Sequence, residues 1–219
     1  KGKLISLKDE NFGNDKEGII SLFHYLWNKL LSELPSRIYY MPASRTGIYN
    51  TFSNMSSLIA GLSKEKTAKN VPYTLPQIKE PISDYILEIN NPNHTNKQLY
   101  DEIIKSFEKI LDGKIIYDVD SKKIKFLQNN LKNLDLDLAD TSSMVSELAP
   151  LLFFIKYKLS YNSLLFIEEP EAHVHPENQV QLVEIFRQLI NLGVKIVATS
   201  HSNYMLNELS NLIISNKLS

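Results

Sequence analysis

The sequence contains no cysteine. That excludes a disulfide framework, a thiolate zinc site and a cysteine nucleophile, and it fits a reducing compartment. Glycine is scarce: 7 in 219 residues, about 3% against a usual 7% or so. Loops that cradle phosphates are built from glycine. None of the glycines, at 2, 13, 18, 47, 61, 113 and 193, lies in a G-x-x-x-x-G-K-[S/T] spacing, so the backbone cradle of that motif is missing. No apolar run approaches the roughly 20 residues that cross a bilayer, and no signal-peptide pattern is read. Charge of neither sign dominates: 24 Lys+Arg against 25 Asp+Glu leave −1, so there is no overall basic field for nucleic acid. The expectation is a cytoplasmic chain without a membrane partner.

What is present is the material of a globular core. Hydrophobic residues make up 43% of the chain, close to the soluble average of about 45–50%. A chain of this length buries a sizeable core without staples. It begins Lys1-Gly2-Lys3 without Met, and Asn211 to Ser215 near its end reads as a strand. We expect an excised piece of a longer protein; the alternative is a processed or tagged whole one.

Residues 4–7 read as a short strand. Ile19, Leu22, Phe23, Leu26, Leu30 and Leu34 recur in steps of three and four, the face of a helix over 15–34 that Pro35 ends. Arg37 to Met41 reads as a buried strand halted by Pro42. One apolar stretch, 55–62, lies in a Ser/Thr/Asn-rich region. Residues 83–89 and 96–111 look helical. Alternation over 114–119 and 122–127, with a turn near Asp120-Ser121, predicts a hairpin.

The last 80 or so residues say most. Ser142 to Leu159 is a helix candidate opened by a Ser/Thr cluster suited to capping. Ser163 to Ile167 is a continuous apolar run, read as a strand buried on both faces. Pro176 fits the first position of a helix that presents Val180, Val183, Phe186, Leu189 and Ile190, with Gly193 as its stop. Val194 to Ala198 is the next buried strand, and residues 202–209 a short helix. Alternating helices and strands imply right-handed crossovers and a parallel sheet, an α/β fold.

The strand at 164–167 delivers Glu168 and Glu169 at its C-terminal end, where open α/β sheets bind ligands. Neighbouring strand residues point to opposite sides, so the two acids divide their work. One suits a metal, directly or through water. The other suits orienting or deprotonating an attacking water. On the dipeptide alone, a solvated loop start is the plainer reading.

The run Leu164-Leu-Phe-Ile-Glu-Glu-Pro-Glu-Ala-His-Val-His-Pro176, with Ala198-Thr-Ser-His-Ser202 about thirty residues on, resembles the ABC-type ATPase head. In particular it resembles the branch containing RecF, the structural-maintenance-of-chromosomes proteins and the overcoming-lysogenization-defect ATPases. The resemblance implies ATP and Mg²⁺. It places Glu168 as the Mg²⁺-linked acid of the Walker B strand and Glu169 as the catalytic glutamate. Glu171 to His175 become the loop across a dimer interface, with Glu171 and His175 near nucleotide. His201 becomes the histidine that touches the γ-phosphate. Asp140-Thr-Ser-Ser-Met-Val-Ser-Glu147 occupies the place of the signature motif, with Ser142 and Ser143 on the partner's nucleotide, although no glycine follows the serine. Pro42-Ala-Ser-Arg45 also resembles this branch, with Arg45 facing the site. The fold implied is a parallel-sheet P-loop NTPase lobe with a helical insertion and a small hairpin. The resemblance is strong over 138–214 and weak over 36–50 and 110–135, which suggests a C-terminal lobe only.

The domain reading is therefore 1–50 as the first part of the ATPase lobe, 51–112 as a mostly helical insertion, and 113–219 as hairpin, signature helix, Walker B and histidine loop. The implied partners are a second copy in an ATP-sandwiched dimer, DNA, and an effector protein or nuclease. The implied settings are DNA repair, chromosome handling and phage defence. Two other classes stay open. One is a degenerate, non-hydrolysing docking or dimerisation module, which the glycine-free signature favours. The other is a metal-dependent nuclease using Glu169, Glu171, His173 and His175.

Overall fold

The computed structural model describes residues 20, 23–26, 34–52, 79–92, 97–129 and 135–215. The chain divides into two units, Lys1–Ser36 and Arg37–Ser219. In the first, the described residues 20 and 23–26 are helical. The strand expected at 4–7 and the apolar stretch at 55–62 lie outside the described residues.

The second unit runs β1 (Arg37–Met41), a helical segment at 45–52, α1 (Glu80–Ile89), α2 (Lys97–Leu111), β2 (Gly113–Asp118), β3 (Lys123–Gln128) and β4 (Asp135–Asp137). A 3-10 turn at Leu138–Asp140 leads to α3 (Ser143–Tyr157), β5 (Ser163–Glu168), α4 (Pro176–Asn191), β6 (Lys195–Thr199) and α5 (Asn203–Ile214). β1, β5 and β6 form a parallel sheet in that spatial order, and β2, β3 and β4 a small antiparallel one. This is an α/β fold. The β5–α4–β6 crossover is what a parallel pair requires, since two such strands cannot share a tight turn. In register, Tyr40 lies opposite Phe166, Phe166 opposite Val197, and Glu168 opposite Thr199. The acid-bearing end of β5 is thus level with the end of β6.

The core lies on one face of the parallel sheet. Tyr39, Met41, Leu165 and Ile167 are buried there, in one cluster with Leu148 to Ile155 of α3. Phe154 anchors the layer, with Tyr39 edge-on at 5.5 Å and Tyr85 stacked at 6.1 Å. The other face is not covered by described residues: Ile38 is 64% exposed, Phe166 38% and Val197 47%.

The sheet therefore corrects one expectation. β5 alternates, with Ser163, Leu165 and Ile167 buried and Phe166 exposed, and most of β6, last in the sheet among the described residues, is exposed. An apolar run records that a strand is apolar but not how many layers cover it. The strand expected at 211–215 is the last turn of α5, which places Met205 and Leu212 inward at helical spacing. α4 buries Gln179, Leu182, Val183, Ile185, Phe186 and Leu189. Its inward face is thus rotated from the expected one, and Val180 is 37% exposed. The hairpin is present and gains a third strand, β4.

Gly193 ends α4 as expected. It adopts φ +84°, while Val194 N–H donates to Leu189 O at 3.0 Å and Gly193 N–H to Ile190 O at 2.9 Å. This is the paired closure of a Schellman cap, which needs a left-handed residue at that point.

Candidate functional site

Three polar side chains gather where β5 and β6 end. Glu168 closes β5, Glu169 follows it, and His201 follows β6 by two residues. The chain turns sharply at Glu169, which has φ +42°. That left-handed state costs a residue with a Cβ about 1–2 kcal/mol, so the surroundings must hold it. Its N–H reaches both the carbonyl (3.0 Å) and the hydroxyl (3.3 Å) of Thr199, on the adjacent strand. Its carbonyl accepts from Ala172 N–H at 3.0 Å and from Arg45 Nη2 at 3.3 Å.

The turn breaks the strand's alternation and separates the two acids. Glu168 leans toward β1, where its Oε2 accepts from Ala43 N–H at 3.3 Å. Burial raises the Tyr40 hydroxyl from its ordinary value, and its hydrogen bond to Glu168 adds to this. Glu169 turns toward β6: its Oε1 lies 3.7 Å from His201 Nε2, with the glutamate side chain 44% exposed and the histidine 87%. An exposed carboxylate and an exposed imidazole thus face one space at the sheet's C-terminal edge.

Glu171 does not point into that space. Its Oε1 accepts from the Ser200 hydroxyl at 2.8 Å and the His201 N–H at 2.6 Å. His175 is exposed and starts α4 as N-cap residue without a side-chain cap bond. Ser142 is the N-cap of α3, its Oγ accepting from Val145 N–H at 3.3 Å. A hydroxyl that accepts in this way keeps its own hydrogen to donate. Ser143 beside it is exposed.

Arg45 is placed otherwise than expected. Its side chain is buried and does not face the shared space. Nε donates to Glu147 O at 3.1 Å and sits 3.6 Å from Glu147 Oε2. Nη1 donates to Glu168 O at 2.7 Å and Pro42 O at 3.4 Å. A fork of donors surrounded by carbonyls at the start of a helical segment is a clamp, binding the acid-bearing turn to α3. Burial pulls the guanidinium below its usual value, while Glu147, Tyr85, Glu171 and Glu169 oppose that.

The AAA ATPase domain family matches residues 3–206. The chain belongs to that family. No curated protein matches it. Similar solved structures include the head domain of a structural-maintenance-of-chromosomes protein from Thermotoga maritima, 12% identical with a TM-score of 0.39. That likeness covers 55% of this chain and 42% of the head domain, so the chain spans less than half of that relative. Another is the Smc head domain with an extended coiled coil bound to the C-terminal domain of ScpA, derived from Pyrococcus furiosus. It is 14% identical, with a TM-score of 0.36, over 88% of this chain and 46% of that one.

The acids of this AAA ATPase domain suit a cation held mainly by a bound phosphate. Mg²⁺ takes one or two carboxylates and fills its other positions with water and phosphate oxygens. Glu168 is partly buried and level with Thr199, which suits that sparse role. A dedicated protein cage does not fit: no group of three or more His, Cys, Asp or Glu able to hold a metal occurs among the described residues. Glu169, Glu171, His173 and His175 are not brought together as a ligand set. Glu171 is engaged with the His201 backbone, and His173 is exposed with φ +60°.

Further polar side chains, to which the sequence assigned no contact, tie these loops together. Ser202 caps α5, accepting from Met205 N–H at 3.2 Å, and its hydroxyl bonds Gln179 Oε1. Gln179 Nε2 reaches Val174 O at 2.8 Å. Gln179 carried a usable signal, a polar residue three and four places before Leu182 and Val183 in a buried stripe. Asn178 Nδ2 lies 3.3 Å from Met144 Sδ, tying α4 to the start of α3. Nothing in the sequence marks that pair. Among the described residues no helix is long and apolar enough to cross a membrane.

Proposed function

We propose that this domain is the hydrolytic part of a nucleotide-dependent ATPase head, with Glu169 and His201 acting on the γ-phosphate of ATP. The supporting observation is their 3.7 Å approach, in the open, at the C-terminal edge of a parallel sheet. Glu169 takes the proton of the attacking water as its oxygen bonds to the γ-phosphorus and the bond to the β-phosphate breaks. His201 donates to a γ-phosphate oxygen, where negative charge must be held. Bound Mg²⁺ supplies charge neutralisation, with Glu168 as its protein-side acid. The phosphate cradle absent from these 219 residues comes from elsewhere in the intact protein or from a partner chain.

Two such heads sandwich two ATP molecules, and the N-terminus of α3 meets the nucleotide of the other copy. Ser142 and Ser143 stand at a helix start, which favours phosphate. His175 and the loop before it form part of the same interface. The setting belongs to the RecF and overcoming-lysogenization-defect branch, in cytoplasmic DNA repair or phage defence, with DNA and an effector or nuclease as further partners.

Glu169→Gln decides the matter in the intact protein. The amide cannot take the water's proton, so ATP still binds, hydrolysis falls by about 10²-fold or more, and a dimer accumulates that needs nucleotide. Wild-type turnover in that variant removes Glu169 from the chemistry. Absence of any nucleotide-dependent dimer favours the docking-module reading.

A further inference from the structure

The Glu171 carboxylate sits on the loop after β5 and binds the loop after β6. We propose that Glu171 is a positioning residue: it fixes the backbone at His201 and through it the approach of His201 to Glu169. The proposal rests on the reading of Glu169 and His201 as the hydrolytic pair.

One oxygen, Oε1, takes both bonds, from Ser200 Oγ at 2.8 Å and from His201 N–H at 2.6 Å. Hydrogen bonds to an ionised acceptor are roughly twice as strong as neutral ones. The imidazole of His201 is 87% exposed, so packing does little to aim it. Its direction is set by the backbone that carries it, and that backbone's N–H ends on Glu171.

The contact also closes a ring. Ser200 Oγ accepts from Ser202 N–H at 3.0 Å, and Ser202 bonds Gln179. Gln179 reaches Val174 O at 2.8 Å, and Val174 N–H returns to Glu171 O at 2.9 Å. The loop carrying Glu169 to His175 and the loop carrying His201 are thereby one hydrogen-bonded body. The second carboxylate oxygen, Oε2, is buried without a hydrogen-bond partner. Such burial is costly for a charged group, and the nearby positive charge of Arg45 offsets part of it. What the two donors require is an acceptor oxygen at that place.

The test uses the intact ATP-hydrolysing protein and three variants. Glu171→Gln keeps a carbonyl oxygen for both donors and places its amide nitrogen where Oε2 now has no partner. Its kcat stays within about threefold of wild type. Glu171→Asp keeps the charge but retracts the oxygen by one methylene, and Glu171→Ala removes it. Both lower kcat at least about tenfold while KM for ATP moves less than about twofold, the signature of a group serving the reaction rather than binding. In parallel, hydrogen exchange of the His201 amide, read without nucleotide, speeds up at least about tenfold in the Asp and Ala variants but not in Gln. If the Ala variant fails to fold, the Asp variant decides. Wild-type kcat in the Asp or Ala variant overturns the proposal, as does a Gln variant as impaired as Ala. Glu169→Gln run alongside separates the two readings. If it hydrolyses ATP normally, the assignment of the pair falls, and amide exchange still reports whether Glu171 holds His201.

Discussion

At Arg45 a full charge is enclosed by protein, and what surrounds it explains why. Its fork meets the carbonyls of Pro42, Glu147, Glu168 and Glu169, and its Nε lies 3.6 Å from the Glu147 carboxylate. The planar guanidinium reaches all of these at once, as an ammonium cannot. Arg45→Met keeps an unbranched apolar stem but strands the buried Glu147 carboxylate. It should lower the unfolding free energy by about 3–5 kcal/mol, the cost of breaking a buried pair from one side, as read by urea denaturation. A loss below about 1 kcal/mol would put Arg45 among weak surface pairs and refute the clamp. That Glu168, Glu169 and His201 lie where β5 and β6 end was legible in the sequence, because both strands are marked by local apolar runs. The direction of Arg45 was not. A charged residue after a strand reads as solvent- or ligand-facing until the carbonyls that surround it are seen.

Beside that clamp lies an element-scale feature, a proline inside α3. Pro150 has no N–H, so Ser146 O, four residues earlier, loses its helical donor. The Thr46 hydroxyl takes that place at 2.6 Å, in a buried setting, and Arg45 Nε takes the neighbouring Glu147 O. The helical segment at 45–52 is thus docked on α3 through the gap that Pro150 opens. Thr46→Val leaves Ser146 O buried without a donor and should cost about 1–3 kcal/mol. In a Pro150→Ala background the restored N–H supplies that bond, so the same threonine change should cost much less. The coupling across the cycle should exceed about 1 kcal/mol, whereas additivity within about 0.5 kcal/mol would show no shared carbonyl. Pro150 was visible in the sequence. Its partner was not, because nothing local links residue 46 to residue 146. Gly193 is the contrary case: the cap is local, so the sequence showed it. There the left-handed backbone excludes a Cβ, and so does the Tyr161 ring, 2.5 Å from where one would stand.

At the scale of the whole molecule, the alternation of helices and strands revealed a parallel sheet, but two things stayed hidden. The order β1-β5-β6 joins strands more than 100 residues apart in sequence, and only packing sets that order. The covering of the sheet was hidden too, since Phe166 and Val197 look like core residues in a list and stand exposed on the sheet. The missing phosphate loop bears on the molecule as a whole. A ligand that binds only the folded state stabilises it by RT ln(1 + [L]/Kd), about 2.7 kcal/mol at a hundredfold excess over Kd. For a chain of this size that is a rise in Tm of roughly 5–10 °C. The described site holds two carboxylates and one exposed histidine, which the proposed function sets at the γ-phosphate end of ATP. It offers no glycine loop whose N–H groups would hold the other phosphates. The 219-residue chain alone should therefore shift by less than about 1 °C with millimolar ATP and Mg²⁺. Joined to a segment that supplies the loop, it should show the larger rise. A rise above about 5 °C for the chain alone would mean that these residues hold the phosphates without the loop, and the division of labour between this domain and a separate phosphate cradle would fall.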